Sequence, residues 1–185
     1  MDEYIELLDS NGTPNGKKCL KSIAHKNGYF HASVHIWIYT KSGEVLIQKR
    51  KHNKDTFPNL WDISVAGHIS FGENHKTSAL RETQEEIGLT TSTDSLIYLG
   101  TSEHKNNHLS KGIIDHELHH IYLTELKADF NELTIQEEEV AAIKLIDIFQ
   151  LEKELNNPST KGNYVPHGEK YYSRIFEAIK KQMTL

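Results

Sequence analysis

The chain has 185 residues, 37% hydrophobic and 25% charged, with a net charge of −5, which excludes a disordered segment and leaves no broad positive face for a nucleic-acid polymer. That length is expected to form a single domain spanning 1–185. No apolar run reaches the roughly 18 residues of a membrane span, the start MDEYIELLDS is too acidic for a secretory signal, and the single Cys19 suits a reducing compartment; a cytoplasmic location without membrane attachment is expected.

In chain order, residues 4–20 read as a short strand, a turn built on Asn11-Gly12 and Asn15-Gly16, and a return strand. SVHIWIYT and KSGEVLIQKR alternate on either side of Ser42-Gly43, which predicts a second hairpin with Val34, Ile36 and Ile38 on one face. Residues 51–63 are polar, contain Pro58 and carry Phe57, Leu60 and Trp61 as an anchor, so a loop crossing the site is predicted there. SVAGHIS predicts a brief strand, and 74–87 a helix capped by Asn74 and stopped by Gly88. Two more strands, 95–105 and 116–127, are expected around a polar loop at 105–112. A strand at 140–146, a short helix at 148–155 and a last helix at 169–183 follow, the last with Tyr172, Ile175, Phe176, Ile179 and Met183 on one stripe. The pattern is that of an α/β or α+β chain, a mixed sheet flanked by helices.

The stretch GHISFGENHKTSALRETQEEIGL, residues 67–89, places like charges together. On the predicted helix Glu82, Glu85 and Glu86 are related by i, i+3 and i+4, so their carboxylates share a face and repel by about 0.2–0.5 kcal/mol per pair. A bound cation reverses that sign, and hard carboxylate oxygens suit Mg²⁺ or Mn²⁺, with substrate phosphates completing the shell. Gly67, Glu73, Arg81 and Gly88 extend the spacing to G-x5-E-x7-R-E-x2-E-E-x-G, followed by Leu89. That spacing resembles the Nudix box, with Thr83 where the family usually has an aliphatic residue, and the chain resembles the Nudix superfamily from about residue 30 to 150.

The resemblance implies an α/β/α sandwich with a mixed sheet. It also implies Mg²⁺-dependent (or Mn²⁺-dependent) hydrolysis of a diphosphate linkage in a small molecule by metal-activated water. Glu82, Glu85 and Glu86 are then the metal ligands and, with Arg81, the catalytic set; Arg81 orients a carboxylate and Glu73 supports the site. Which glutamate serves as general base stays open. Gly67 is expected to let the strand-to-helix loop bend and to bring backbone N–H groups toward substrate phosphate.

Outside the box, KSIAHKNGYFH at 21–31, SVAGH at 64–68 and DHELHHIY at 115–122 resemble segments of isopentenyl diphosphate isomerase, a member of the same fold. That resemblance implies a second divalent-metal site from His25, His31, His68, Asp115 and Glu117, and diphosphate binding by Lys21, Arg50 and Lys54. Two positions depart from it: Ala66 stands where the isomerase has its essential cysteine, and Glu82 replaces a basic residue. Hydrolysis is therefore the expected reaction, with isomerisation of isopentenyl diphosphate or non-catalytic diphosphate binding as alternatives.

The substrate, a nucleoside diphosphate derivative or an isoprenoid diphosphate, is not fixed by these residues. Loops at 51–60, 104–112 and 157–168 are expected to shape its pocket, with Trp61, Phe71, Tyr122 and Tyr164 as candidates for stacking a base or lining an isoprenoid channel. Monomer and homodimer are both open.

Overall fold

The computed structural model describes residues 2–183. Its elements are β1 (Tyr4–Leu8), β2 (Pro14–Leu20), α1 (Lys21–Asn27), β3 (His31–Tyr39), β4 (Glu44–Arg50), β5 (Trp61–Asp62), β6 (Val65–His68), α2 (His75–Ile87), β7 (Ile97–His108), β8 (Ile113–Glu125), β9 (Val140–Asp147), α3 (Ile148–Asn156) and α4 (Glu169–Met183). The mixed sheet is organised around β3, which runs parallel to β8, antiparallel to β6 over residues 33–36, and antiparallel to β4 at Ile38 and Tyr39. From there β8 pairs with β7, and β4 with β5 and β9, all antiparallel.

Alternation along β3 decides what lies on each face. Val34, Ile36 and Ile38 are buried with Ala79 and Ile87 of α2 and with Leu89. Trp37 and Tyr39 bury instead against Ile148 and Leu151 of α3 and Ile175, Phe176 and Ile179 of α4. The sheet thus lies between helical layers, the expected α/β/α sandwich, and each large side chain so buried contributes about 1.5–3 kcal/mol. The expected caps of α2 are present: Asn74 Oδ1 accepts from the N–H of Lys76 (3.1 Å) and Thr77 (3.0 Å), and Gly88 closes the helix at φ 68°.

Three local expectations change. KSIAHKN forms α1, a helix that buries only Ala24 and so offers no apolar stripe to read. The loop expected at 105–112 is the end of a long β7–β8 hairpin, paired out to His108↔Ile113 and closed by a 3-10 turn at 109–111 with Gly112 at φ 63°. On α4 the buried stripe passes through Tyr171, with Tyr172 half-buried beside it. Among the described residues no helix is long and apolar enough to cross a membrane.

Candidate active site

The α2 helix delivers Glu82, Glu85 and Glu86 to the wall of a cleft of about 480 Å³. Arg81 on the same helix organises this wall. Its Nη1 donates to Glu82 Oε1 (2.7 Å) and Glu85 Oε2 (3.0 Å), and its Nη2 to Glu73 Oε2 (2.9 Å) and to the backbone carbonyl of His68 (3.0 Å). Burial works against a charge on Glu73, but the bonds from Arg81 and Ser78 outweigh it and hold that carboxyl below its ordinary value. For Glu82 burial prevails over Arg81 and pushes the carboxyl up. Glu86 is buried further, with Gln48 Nε2 (2.9 Å) and the Ala66 N–H (3.3 Å) donating to its Oε2; burial pushes it up to about 8, with Lys54 opposing. Glu85 is half-exposed to the cleft. Hard carboxylate oxygens, one of them kept protonated by burial near neutral pH, form a donor set that a divalent cation would charge and satisfy.

Strand β6 joins this wall to a second group. Gly67 lies within the strand, not in a bending loop as the sequence suggested, and its need is for space: a Cβ there would stand 2.0 Å from Glu82 Cδ. Gly67→Ala is expected to push Glu82 aside and cost about 1–3 kcal/mol, measured as a lower urea midpoint with unchanged m. The neighbouring His68 sends its side chain to the other group while its carbonyl receives Arg81.

In that second group the Nε2 atoms of His31 and His68 lie 3.2 and 3.3 Å from His25 Nε2, and Glu117 Oε1 lies 3.5–3.8 Å from all three. These four ligand atoms fall within 4.8 Å of one another. The His31 ring donates from Nδ1 to the Tyr29 carbonyl at 2.7 Å, which leaves a bare lone pair on Nε2. Burial lowers His25 to about 3 and His31 to about 4, so both are neutral ligands at physiological pH. Without a cation these nitrogens satisfy one another by sharing ring protons, His25 Nε2–H donating to the bare Nε2 of His31, and a cation that displaced that proton would meet a His/Glu set that suits Mn²⁺, Zn²⁺ or Mg²⁺. Asp115 stands outside the four: burial and the adjacent Glu117 push it up to about 9, while its buried Oδ1 has no partner among the described residues.

The expected diphosphate-binding cations all line the cleft, but each is engaged. Lys21 Nζ lies 3.3 Å from Glu3 Oε1, Arg50 Nη1 donates to Asp62 Oδ2 at 3.0 Å and its Nη2 to the Thr56 carbonyl at 2.9 Å, and Lys54 is ion-paired with Glu139.

Each of the three predicted loops contributes to the lining, through Lys54 and Phe57, through His104 and through His167. None of the four aromatic candidates does. Tyr122 and Tyr164 are buried, Trp61 packs under Lys144 Nζ at 4.3 Å, and Phe71 is exposed beside Lys18. Instead the lining includes Ser33, His35, Asp62, His119 and His167, which the sequence reading missed. A signal was present for part of this set: His31, Ser33 and His35 alternate with the apolar residues of β3, as Asp115, Glu117 and His119 alternate on β8.

Comparison with known proteins agrees with this architecture. The NUDIX domain family matches residues 29–167. An uncharacterized Nudix hydrolase of Clostridium acetobutylicum is 30% identical, the match covering 96% of this chain and 97% of that protein. An isopentenyl-diphosphate Delta-isomerase of Streptomyces griseus is 31% identical over 64% of this chain and 59% of its own length. Among solved structures, one from Deinococcus radiodurans superposes with a TM-score of 0.64 over 97% of this chain and 98% of that one, at 15% identity, which speaks to the fold alone.

Proposed function

Because the chain belongs to the Nudix family, we propose that it is a hydrolase that cleaves a diphosphate linkage in a small molecule with Mg²⁺ (or Mn²⁺) held on Glu82, Glu85 and Glu86. The observation that carries this reading is the charge of the cleft: ten carboxyl groups line it against four Lys or Arg side chains, so that even with Glu86 and Asp115 kept protonated by burial the carboxylates outnumber the cations. A diphosphate cannot enter so acidic a space unless cations enter with it, and the three glutamates of α2 are the ligands best placed to hold them. When bound, the metal supplies neutralisation of phosphate oxygens and a water of lowered pKa.

The chain's own residues do the rest. Arg81 fixes the carboxyls of Glu82 and Glu85, so the ligands need little reorganisation. Lys21, Arg50 and Lys54 exchange their carboxylate and carbonyl partners for phosphate oxygens, which leaves Glu139 and Glu3 to turn toward solvent or metal. One glutamate of the wall takes the proton of the attacking water. His25, His31, His68 and Glu117 are proposed to hold a second cation on the opposite side of β6.

A second reading, isomerisation of isopentenyl diphosphate, draws on Glu117 and that histidine group. It lacks a proton carrier at the other side of the substrate, because Ala66 lines the cleft where the isomerase has its cysteine and Cys19 lies on β2, away from the lining. A panel of diphosphates incubated with Mg²⁺ is expected to release phosphate or pyrophosphate from at least one member, and Glu85→Gln to slow that release about 100-fold or more. No release from any member, with wild type and Glu85→Gln indistinguishable, would sink the reading; conversion of isopentenyl diphosphate that survives Glu85→Gln but not Glu117→Gln would replace it with isomerisation.

A further inference from the structure

One wall of the cleft carries polar groups that the hydrolytic reading leaves unused. Ser33 and His119 face each other across the β3–β8 ladder, His35 follows two residues along β3, and His167 arrives from the loop before α4. Each of the three imidazoles is fixed through one ring nitrogen. His35 Nδ1 lies 2.8 Å from Tyr171 Oη, His119 Nδ1 lies 2.8 Å from Ser33 Oγ, and His167 Nε2 lies 2.7 Å from Asp62 Oδ1. The rings of His35 and His119 also stack, with centroids 3.8 Å apart, so neither turns freely. Among the described residues the second nitrogen of each ring has no hydrogen-bond partner, although His35 is 4% and His119 5% exposed. The three residues line the cleft and their open nitrogens are not among the buried atoms left without a partner, so they stand ready for a group bound there.

The fixed partners also set what two of the open nitrogens offer. Tyr171 Oη accepts from Trp37 Nε1 at 3.0 Å, and its own proton is then given to His35 Nδ1; the open Nε2 of His35 is a donor. The Asp62 carboxylate only accepts, since it also takes Arg50 at 3.0 Å, so His167 donates from Nε2 and its open Nδ1 is an acceptor in the neutral ring. A group that both donates and accepts, a hydroxyl, satisfies this pairing. A hydrocarbon chain would leave each nitrogen stranded, and only Phe57, Ala66 and Val165 offer it apolar side chains in the lining.

We infer that this histidine wall is the subsite for the non-phosphate part of the substrate and that it takes a hydroxyl-bearing group, a sugar or polyol, in place of a hydrocarbon tail. The inference rests on the reading that the diphosphate binds between the α2 glutamates and Lys21, Arg50 and Lys54. Within it, the Asp62–His167 pair is the specificity-determining element, because it joins the wall to the arginine of the diphosphate end.

Two probes of equal carbon count test this: ribose 5-diphosphate and n-pentyl diphosphate, compared by calorimetric binding to the Glu85→Gln protein in Mg²⁺ and by wild-type kcat/KM. The ribose compound is expected to bind at least about 10-fold more tightly, the discrimination of one well-made hydrogen bond. His167→Phe should bring that ratio to near one by weakening the ribose compound more than pentyl diphosphate, and His167→Gln should keep most of it. Equal or tighter binding of pentyl diphosphate, binding of neither probe, or an equal loss for both in His167→Phe overturns the inference; if His167→Phe does not fold, the wild-wall ratio in the Glu85→Gln protein decides alone. Selective binding of the ribose compound, with no release from either probe or from any member of the diphosphate panel, would leave the subsite standing and remove the hydrolase reading, whereas equal hydrolysis of both would do the reverse.

Discussion

Arg81→Ala is expected to lower stability by about 3 kcal/mol and the rate of diphosphate hydrolysis by about 100-fold or more. The physical reason is that Arg81 serves three carboxylates and a backbone carbonyl at once, from a half-buried position. Without it Glu73 keeps Ser78 but no cation and Glu82 loses its charged donor in a partly dehydrated wall, and a buried charge stripped of its counter-charge costs more than the pair contributed. The carbonyl of His68 also loses its donor, which frees the seam between the two groups of the cleft. Displacing ligand carboxylates by about 1 Å is enough for the loss of rate. Arg81→Lys restores the charge but not the planar fork that bonds Glu73 and Glu82 together, so it should recover part of the stability and little of the rate. Urea denaturation and initial rates at saturating Mg²⁺ decide the matter; wild-type rates in both variants would show that the glutamates position themselves.

What the sequence discloses about this site follows from how its parts are held. The α2 wall is legible because its glutamates and Arg81 lie on one continuous helix, where fixed periodicity turns spacing into geometry. His25, His31, His68 and Glu117 lie on four separate elements, α1, β3, β6 and β8, and only resemblance to the isomerase grouped them. The Asp62–His167 pair joins residues 105 apart through a loop, and nothing in local composition links them. His35 and His119 were within reach, because the same period-2 pattern that assigned Val34, Ile36 and Ile38 to one face assigns Ser33 and His35 to the other. In the fold, the sheet and α2 follow from alternation and caps, whereas α1 and the outer β7–β8 hairpin do not: both are mostly solvated, so hydrophobic periodicity leaves no trace there.

Glu86→Gln is expected to act in opposite directions on stability and activity. The carboxyl of Glu86 is pushed up to about 8 by burial, against an ordinary value of 4.5. Between those two values the folded chain keeps a proton that the unfolded chain has released, so unfolding releases that proton and the stability of the metal-free protein falls as pH rises. The fall begins near the unfolded value, is complete above about 8, and amounts to a few kcal/mol for this one group. A glutamine keeps the bonds from Gln48 and the Ala66 N–H through its carbonyl oxygen but cannot ionise. The variant should match wild type near pH 5, exceed it by a few kcal/mol at pH 8 in the presence of a chelator, and show a flatter stability profile. Hydrolysis should fall steeply, because the amide cannot supply the negative charge that the proposed cation requires. Mg²⁺ should then stabilise wild type more than the variant, increasingly so toward pH 8, where less proton has to be displaced from Glu86. Thermal or urea melts across that pH range, with and without Mg²⁺, test this directly; parallel profiles for the two proteins would mean that Glu86 is ionised in the free cleft and that its burial has no hold on metal binding.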